Sequence, residues 1–128
     1  SITLEIDFAH GHPVILGNIG RLQQVLMNLL SNARDAMDSR DDKVITVRTQ
    51  ESGDEVVLEI SDTGCGIPPD RLERVFARGY TTKPVGKGSG MGLNLVRQMI
   101  RDMKGEIGVE SEPGRGTTFR VVFPRHDA

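Results

Sequence analysis

The sequence predicts an α+β sandwich: about three helices on one face of a mixed, mostly antiparallel sheet. Two features carry that prediction. Segments with period two and segments with helical period are interleaved along the chain, and adjacent strand segments are separated by short hairpin signals, which favours antiparallel neighbours. A third observation sets the scale: 128 residues suit one domain, 1–128, and leave little room for two.

The elements follow in order. Ile2, Leu4, Ile6 and Phe8 alternate with Thr3, Glu5 and Asp7, the pattern of a strand with one buried face. His10-Gly11-His12-Pro13 reads as a turn and Val14-Ile15-Leu16 as a short second strand. With Asn18 as N-cap, a helix is expected to about Ser39, its apolar stripe being Leu22, Val25, Leu26, Leu29, Ala33, Ala36 and Met37. Asp41-Asp42 closes it. Val44–Val47 and Val56–Ile60 read as strands joined through Ser52-Gly53-Asp54. Asp62 to Pro69 reads as a loop, with a short helix at about Asp70–Phe76. Arg78 to Ser89 has almost no apolar content and reads as a mobile loop. Leu95, Val96, Met99, Ile100 and Met103 mark a last helix with Gly105 as its C-cap. A final hairpin is expected from Ile107–Ser111 and Thr117–Phe123.

Composition excludes several classes of function. Sixteen basic against 18 acidic residues give a net charge of −2, so neither a basic nucleic-acid arm nor an acidic tail dominates. Aromatic residues are 4% and tryptophan is absent, which disfavours a stacking platform for single strands; no nucleic-acid partner is expected. No apolar run approaches the roughly 20 residues of a membrane helix, and the first residues do not resemble a secretion signal. The single cysteine, Cys65, rules out an internal disulfide framework and suits a reduced, cytoplasmic setting.

Three segments carry chemistry. On the long helix, Asn28, Asn32 and Asp35 fall within about 60° of one another and form a polar stripe beside the apolar one. Asparagine is a mediocre helix former, so the stripe is either a solvated face or a row of side-chain oxygens lining a pocket floor. Such oxygens suit Mg²⁺, which takes hard ligands and relies on substrate phosphates to complete its shell.

Eleven of the 15 glycines lie between Gly64 and Gly116. Gly86-Lys87-Gly88-Ser89-Gly90-Met91-Gly92 leads directly into the last helix. Close backbone approach, a helix N-terminus and nearby Lys83 and Lys87 together make a phosphate cradle; the alternative is a surface loop. Neither a Walker A nor a dinucleotide-binding glycine pattern is present. Asp62-Thr63-Gly64-Cys65-Gly66 follows an apolar strand. Asp62 there could accept a hydrogen bond from an exocyclic amine in a thin slot, or could close a turn on its own backbone. Cys65 between two glycines reads as a small packed residue, and Met99 and Met103 as core.

The order of these segments resembles one family. Gln24–Ala33 resembles the N box of bacterial sensor histidine kinases, and Asp62–Pro68 their first glycine box. Val75-Phe76 through Tyr80-Thr81-Thr82-Lys83 is similar to the F box and lid of the nitrogen-regulator type. Gly88-Ser89-Gly90-Met91-Gly92-Leu93 resembles the second glycine box, and Gly114–Phe119 the C-terminal pattern. The likeness spans about Val14 to Pro124. The wider group is the GHKL ATP-binding superfamily, whose resemblance implies the Bergerat fold and ATP with Mg²⁺ as ligands.

The resemblance also implies roles. Asn32, with Asn28, would hold Mg²⁺ at the ATP phosphates, and Asp35 would lie near the nucleotide. Asp62 would read the adenine amino group, supported by Thr117, with Gly64, Gly66 and Ile67 lining the slot. Tyr80, Thr81, Thr82, Lys83 and the second glycine box, Gly88 to Leu93, would form the lid over the phosphates. Chaperone and DNA-repair relatives carry a glutamate where Asn28 stands. An amide cannot act as a general base, so slow hydrolysis and transfer to a protein acceptor are expected. His10, His12 and His126 lack the context of a phosphoacceptor, so the acceptor is expected on a dimerisation domain outside this chain. The chain then reads as the ATP-binding piece of a longer, possibly membrane-anchored kinase, serving a response regulator and monomeric by itself. An anti-sigma-type serine kinase and a non-catalytic nucleotide-binding module are the alternatives.

Overall fold

The computed structural model describes residues 3–8, 19–38, 41, 43–72, 74–76 and 92–124. The elements run β1 (Thr3–Phe8), α1 (Ile19–Ala36), β2 (Val44–Ser52), β3 (Glu55–Asp62), α2 (Pro69–Leu72), α3 (Leu93–Asp102), β4 (Glu106–Glu112) and β5 (Gly116–Pro124). The five strands form one sheet in the order β1-β2-β3-β5-β4. β1 and β2 pair in parallel, and every other pair is antiparallel. The parallel pair is the one bridged by α1, as a parallel connection requires a crossover. The predicted class, a mixed and mostly antiparallel sheet with helices against it, is therefore found.

The core lies between the sheet and the helices. From α1 come Val25, Leu29 and Ala33, with Met37 just beyond; α3 and its cap add Val96, Ile100 and Met103. From the sheet come Ile45, Leu58, Ile60, Ile107, Phe119, Val121 and Phe123. The i, i+4 steps on α1 and the alternation on β3 and β5 are the periods that place one face of each element inward. The opposite face of the sheet is mostly polar, apart from the facing pair Val57 and Val122: Arg48, Glu59 and Arg120 stand in register across β2, β3 and β5, with alternating sign. Ser61 and Thr118 hydrogen-bond across the same face at 2.8 Å. Among the described residues no helix is long and apolar enough to cross a membrane.

Several boundaries differ from expectation, each for a local reason. α1 stops at Ala36, short of Ser39, and its carbonyl accepts the N–H of Cys65 at 3.0 Å instead of continuing the helical ladder. β2 and β3 extend to Ser52 and Asp62, so that Asp62 is the last residue of a strand and not part of a loop. α2 is a single turn, and after it the chain tightens through an Arg74 N–H to Arg71 carbonyl bond of 2.9 Å. α3 ends at Asp102, and the left-handed residue after it is Lys104 (φ 66°), not Gly105. The Lys104 and Gly105 amides reach back to the carbonyls of Arg101 and Ile100, each at 2.9 Å, in a Schellman arrangement. Gly105 is needed for another reason: a Cβ there would stand 2.7 Å from the Phe123 ring. The strand expected at Val14–Leu16, and the N-cap Asn18, lie outside the described residues.

Candidate nucleotide site

One end of the sheet turns polar on its helix-facing side. Ile45, Asp62, Thr117 and Ser111 form a row across β2, β3, β5 and β4. The next row inward is Val47, Ile60, Phe119 and Val109, all apolar. The core thus ends in a carboxylate with two hydroxyl residues on its β5 side. Asp62 is 9% exposed and Thr117 5% exposed.

Burial of a carboxylate is costly unless donors face it. The backbone N–H of Gly64 donates to Asp62 Oδ1 at 2.8 Å, and the backbone N–H of Thr117 donates to the same carboxylate. Burial wins over these two donors and holds the Asp62 pKa above its ordinary value of 3.8. The turn onto its own backbone and the role of open acceptor are therefore not exclusive. A carboxylate has about four acceptor sites, and the two N–H groups leave room for a further donor.

The glycine segment after Asp62 is held at both ends. Thr63 pairs with Val44, its N–H to the carbonyl at 3.2 Å and its Oγ1 accepting the Val44 N–H at 3.0 Å. Gly64 passes so close to α1 that a Cβ would meet the Ala36 carbonyl oxygen at 2.6 Å. Gly66 has φ +77°, and a Cβ on it would collide with the Glu112 carbonyl. The Gly114 N–H donates to the Cys65 carbonyl at 2.8 Å, and the Ile67 N–H to Ser111 Oγ at 2.7 Å. The loop is thus clamped between the end of α1 and the β4–β5 hairpin. Cys65 is exposed, contrary to the expectation of a packed residue: its backbone, not its thiol, makes these contacts.

Asn28, Asn32 and Asp35 stand on one flank of α1. Arg21, seven residues before Asn28 and so on the same flank, bridges Asp102 of α3 at 3.1 Å. The flank carrying the two amides therefore turns towards α3. Asn28 is 3% exposed, and Asn32 and Asp35 are half-buried. Asp35 Oδ1 lies 3.5 Å from Arg34 Nε. A fully solvated stripe is excluded by this burial.

At the start of α3, the Gly92 carbonyl accepts the Leu95 and Val96 N–H groups at 3.1 and 3.2 Å, and Leu93 packs on the core. Val75 is buried, and the Arg97 guanidinium lies 5.2 Å from the centre of the Phe76 ring. Tyr80, Thr81, Thr82, Lys83, Gly88, Ser89, Gly90 and Met91 lie outside the described residues, as do His10, His12 and His126. An open cleft of about 350 Å³ takes in Asp62, Ser111, Thr117 and the hairpin residues Glu112 and Arg115. It includes none of Asn28, Asn32 or Ile67, and it takes in Glu110 and Thr118 of the opposite face, so it wraps around the hairpin end of the sheet.

Ser111 is the site residue that sequence reading missed. Its signal was faint but present: it continues the inward parity of Ile107 and Val109, where an apolar residue is the norm.

The chain as a whole matches a known family. Residues 17–127 match the family described as histidine kinase-, DNA gyrase B- and HSP90-like ATPase, and the chain belongs to it. Its relatives are sensor histidine kinases. The sensor kinase CckA of Brucella abortus is 40% identical, over 95% of this chain and 14% of its own length. Sporulation kinase E of Bacillus subtilis is 33% identical, over 97% of this chain and 16% of its own. The chain thus spans about one seventh of these relatives. Among solved structures, the mycobacterial sensor histidine kinase MprB superposes with a TM-score of 0.80 at 28% identity, covering 99% of this chain and 84% of that one. Full-length ShkA in complex with AMPPNP gives 0.75 at 30% identity, over 98% of this chain and 26% of that one.

Proposed function

We propose that this chain is the catalytic, ATP-binding domain of a two-component sensor histidine kinase. In this reading it binds Mg-ATP and offers the γ-phosphate to a histidine on a dimerisation domain of the same protein, for onward passage to a response regulator. The observation that carries the reading is the Asp62 carboxylate, buried at the end of the sheet between the N–H groups of Gly64 and Thr117. An acceptor held in that way suits the amino group of adenine, and the clamped Gly64–Ile67 loop suits one wall of a flat slot. ATP is the substrate class, and the AMPPNP held by ShkA shows that a structurally similar protein takes an ATP analogue.

The donor set on α1 fits Mg²⁺: Asn28 and Asn32 would offer amide oxygens, with phosphate oxygens and water as the remaining ligands. The ion would neutralise phosphate charge during transfer. Asp35 would line the same wall. Tyr80, Thr81, Thr82, Lys83 and Gly88 to Leu93 would close over the phosphates. An amide at Asn28 can neither take nor give the proton that hydrolysis needs at neutral pH. The domain would therefore position a phosphoryl group for a protein acceptor and turn over water slowly, as a monomer on the cytoplasmic side of its parent kinase.

The test supplies the chain with labelled ATP, Mg²⁺ and a histidine-bearing helical hairpin from a related kinase. Acid-labile label on the hairpin is the expected result. Acid-stable label would point to a hydroxyl acceptor and a serine kinase, and brisk ATP hydrolysis without label would contradict the transfer reading.

A further inference from the structure

The hydroxyl of Ser111 has three polar neighbours. It donates to the Gly116 carbonyl at 2.9 Å, accepts the Ile67 N–H at 2.7 Å, and lies 2.8 Å from Thr117 Oγ1. A serine hydroxyl owns one hydrogen and two acceptor sites. The Gly116 carbonyl can only accept, so it takes that hydrogen. The Thr117 contact then runs the other way, with Thr117 as donor. Its own hydrogen spent, Thr117 Oγ1 can only accept from any further group. The neighbouring Asp62 carboxylate, opposite Thr117 in the ladder, also only accepts.

We propose that Ser111 is a positioning residue that locks Thr117 as an acceptor, so that the Asp62–Thr117 pair selects a purine edge bearing an amino group over one bearing a carbonyl. This rests on the reading of Asp62 as the group that meets the base. The same serine ties Ile67 of the glycine loop to the row, so slot wall and base-reading pair share one anchor. Without Ser111, the Thr117 hydroxyl is free to turn and donate to a carbonyl.

The experiment titrates ATP and inosine triphosphate, which carries a carbonyl in place of the amino group, into the wild type, Ser111→Ala and Ser111→Thr with Mg²⁺ present. The wild type is expected to prefer ATP by at least about tenfold, the scale of one charged hydrogen bond made against one refused. Ser111→Ala should narrow that preference by about threefold or more, and Ser111→Thr, which keeps the hydroxyl, should restore it. If Ser111→Ala fails to fold, Ser111→Cys fills the same volume with a weak hydrogen-bonding thiol and should narrow the preference in the same direction. Equal losses for both nucleotides, with the ratio unchanged, would reduce Ser111 to a structural role and overturn the proposal alone. A wild type that binds neither nucleotide, or both alike, would overturn the reading of Asp62 and the proposal with it.

Discussion

Thr117 stands directly opposite Asp62 in the β3–β5 ladder, and its backbone N–H donates to the Asp62 carboxylate. The pair closes the apolar interior at one end of the sheet. It also makes stability and binding compete, because the charge that would read a ligand is buried at a cost to the free protein.

That competition has a pH signature. Asp62 titrates near its ordinary 3.8 in the unfolded chain and higher in the folded one. Between those values the folded state binds more protons, so the contribution of Asp62 to stability falls as pH rises through the window and stays at its lowest above it. Asp62→Asn removes the titration. Its midpoint of denaturation should differ little from wild type at about pH 3 and should move ahead as pH approaches neutrality. An advantage that grows towards acid would contradict the assignment of burial as the dominant cause.

Asn32→Ala should weaken ATP binding chiefly when Mg²⁺ is present. Loss of one metal ligand removes a contact that exists only in the ternary complex, so titrations with Mg²⁺ and with EDTA should diverge by about tenfold. Equal loss in both conditions would make Asn32 a packing residue.

Gly64→Ala tests the docking of the glycine loop. The new Cβ would stand 2.6 Å from the Ala36 carbonyl oxygen and 2.8 Å from the Ala36 Cβ. Backbone has to shift on one side or the other, at a cost of about 1–3 kcal/mol in urea denaturation. ATP affinity should fall as well, since Gly64 also supplies an N–H to Asp62.

Glu59→Lys tests the open face. Glu59 is in register with Arg48 on one side and Arg120 on the other. Reversing its sign places three like charges side by side, for a loss of about 1 kcal/mol that shrinks in molar salt. Nucleotide affinity should be unchanged, because this face lies on the far side of the sheet from Asp62.

The fold was legible because its signals are periodic. Val25, Leu29, Ala33 and Met37 announce the buried side of α1, and Phe119, Val121 and Phe123 that of β5, without any knowledge of neighbours. Element ends were less legible because tertiary contacts decide them. Nothing near Ala36 in sequence says that its carbonyl will be claimed by Cys65, and Gly105 looked like the left-handed residue until Phe123 supplied a different reason for it. The site divides in the same way. Asp62, Gly64 and Asn28 stand out as candidates from motif order. Ser111 does not, because its importance arises from strand register, which sets it beside Thr117 and against Ile67. The polar row is a property of the sheet and joins two distant stretches of chain, the end of β3 and the β4–β5 hairpin.

The most direct measurement is a calorimetric titration of ATP, with Mg²⁺, into the wild type and Asp62→Asn. An asparagine keeps the size of the side chain but presents an amide N–H₂ where the base needs an acceptor, so the variant should bind at least about tenfold more weakly while remaining folded. Equal affinity in the two proteins would contradict the account, since the buried carboxylate would then have no part in recognising the nucleotide.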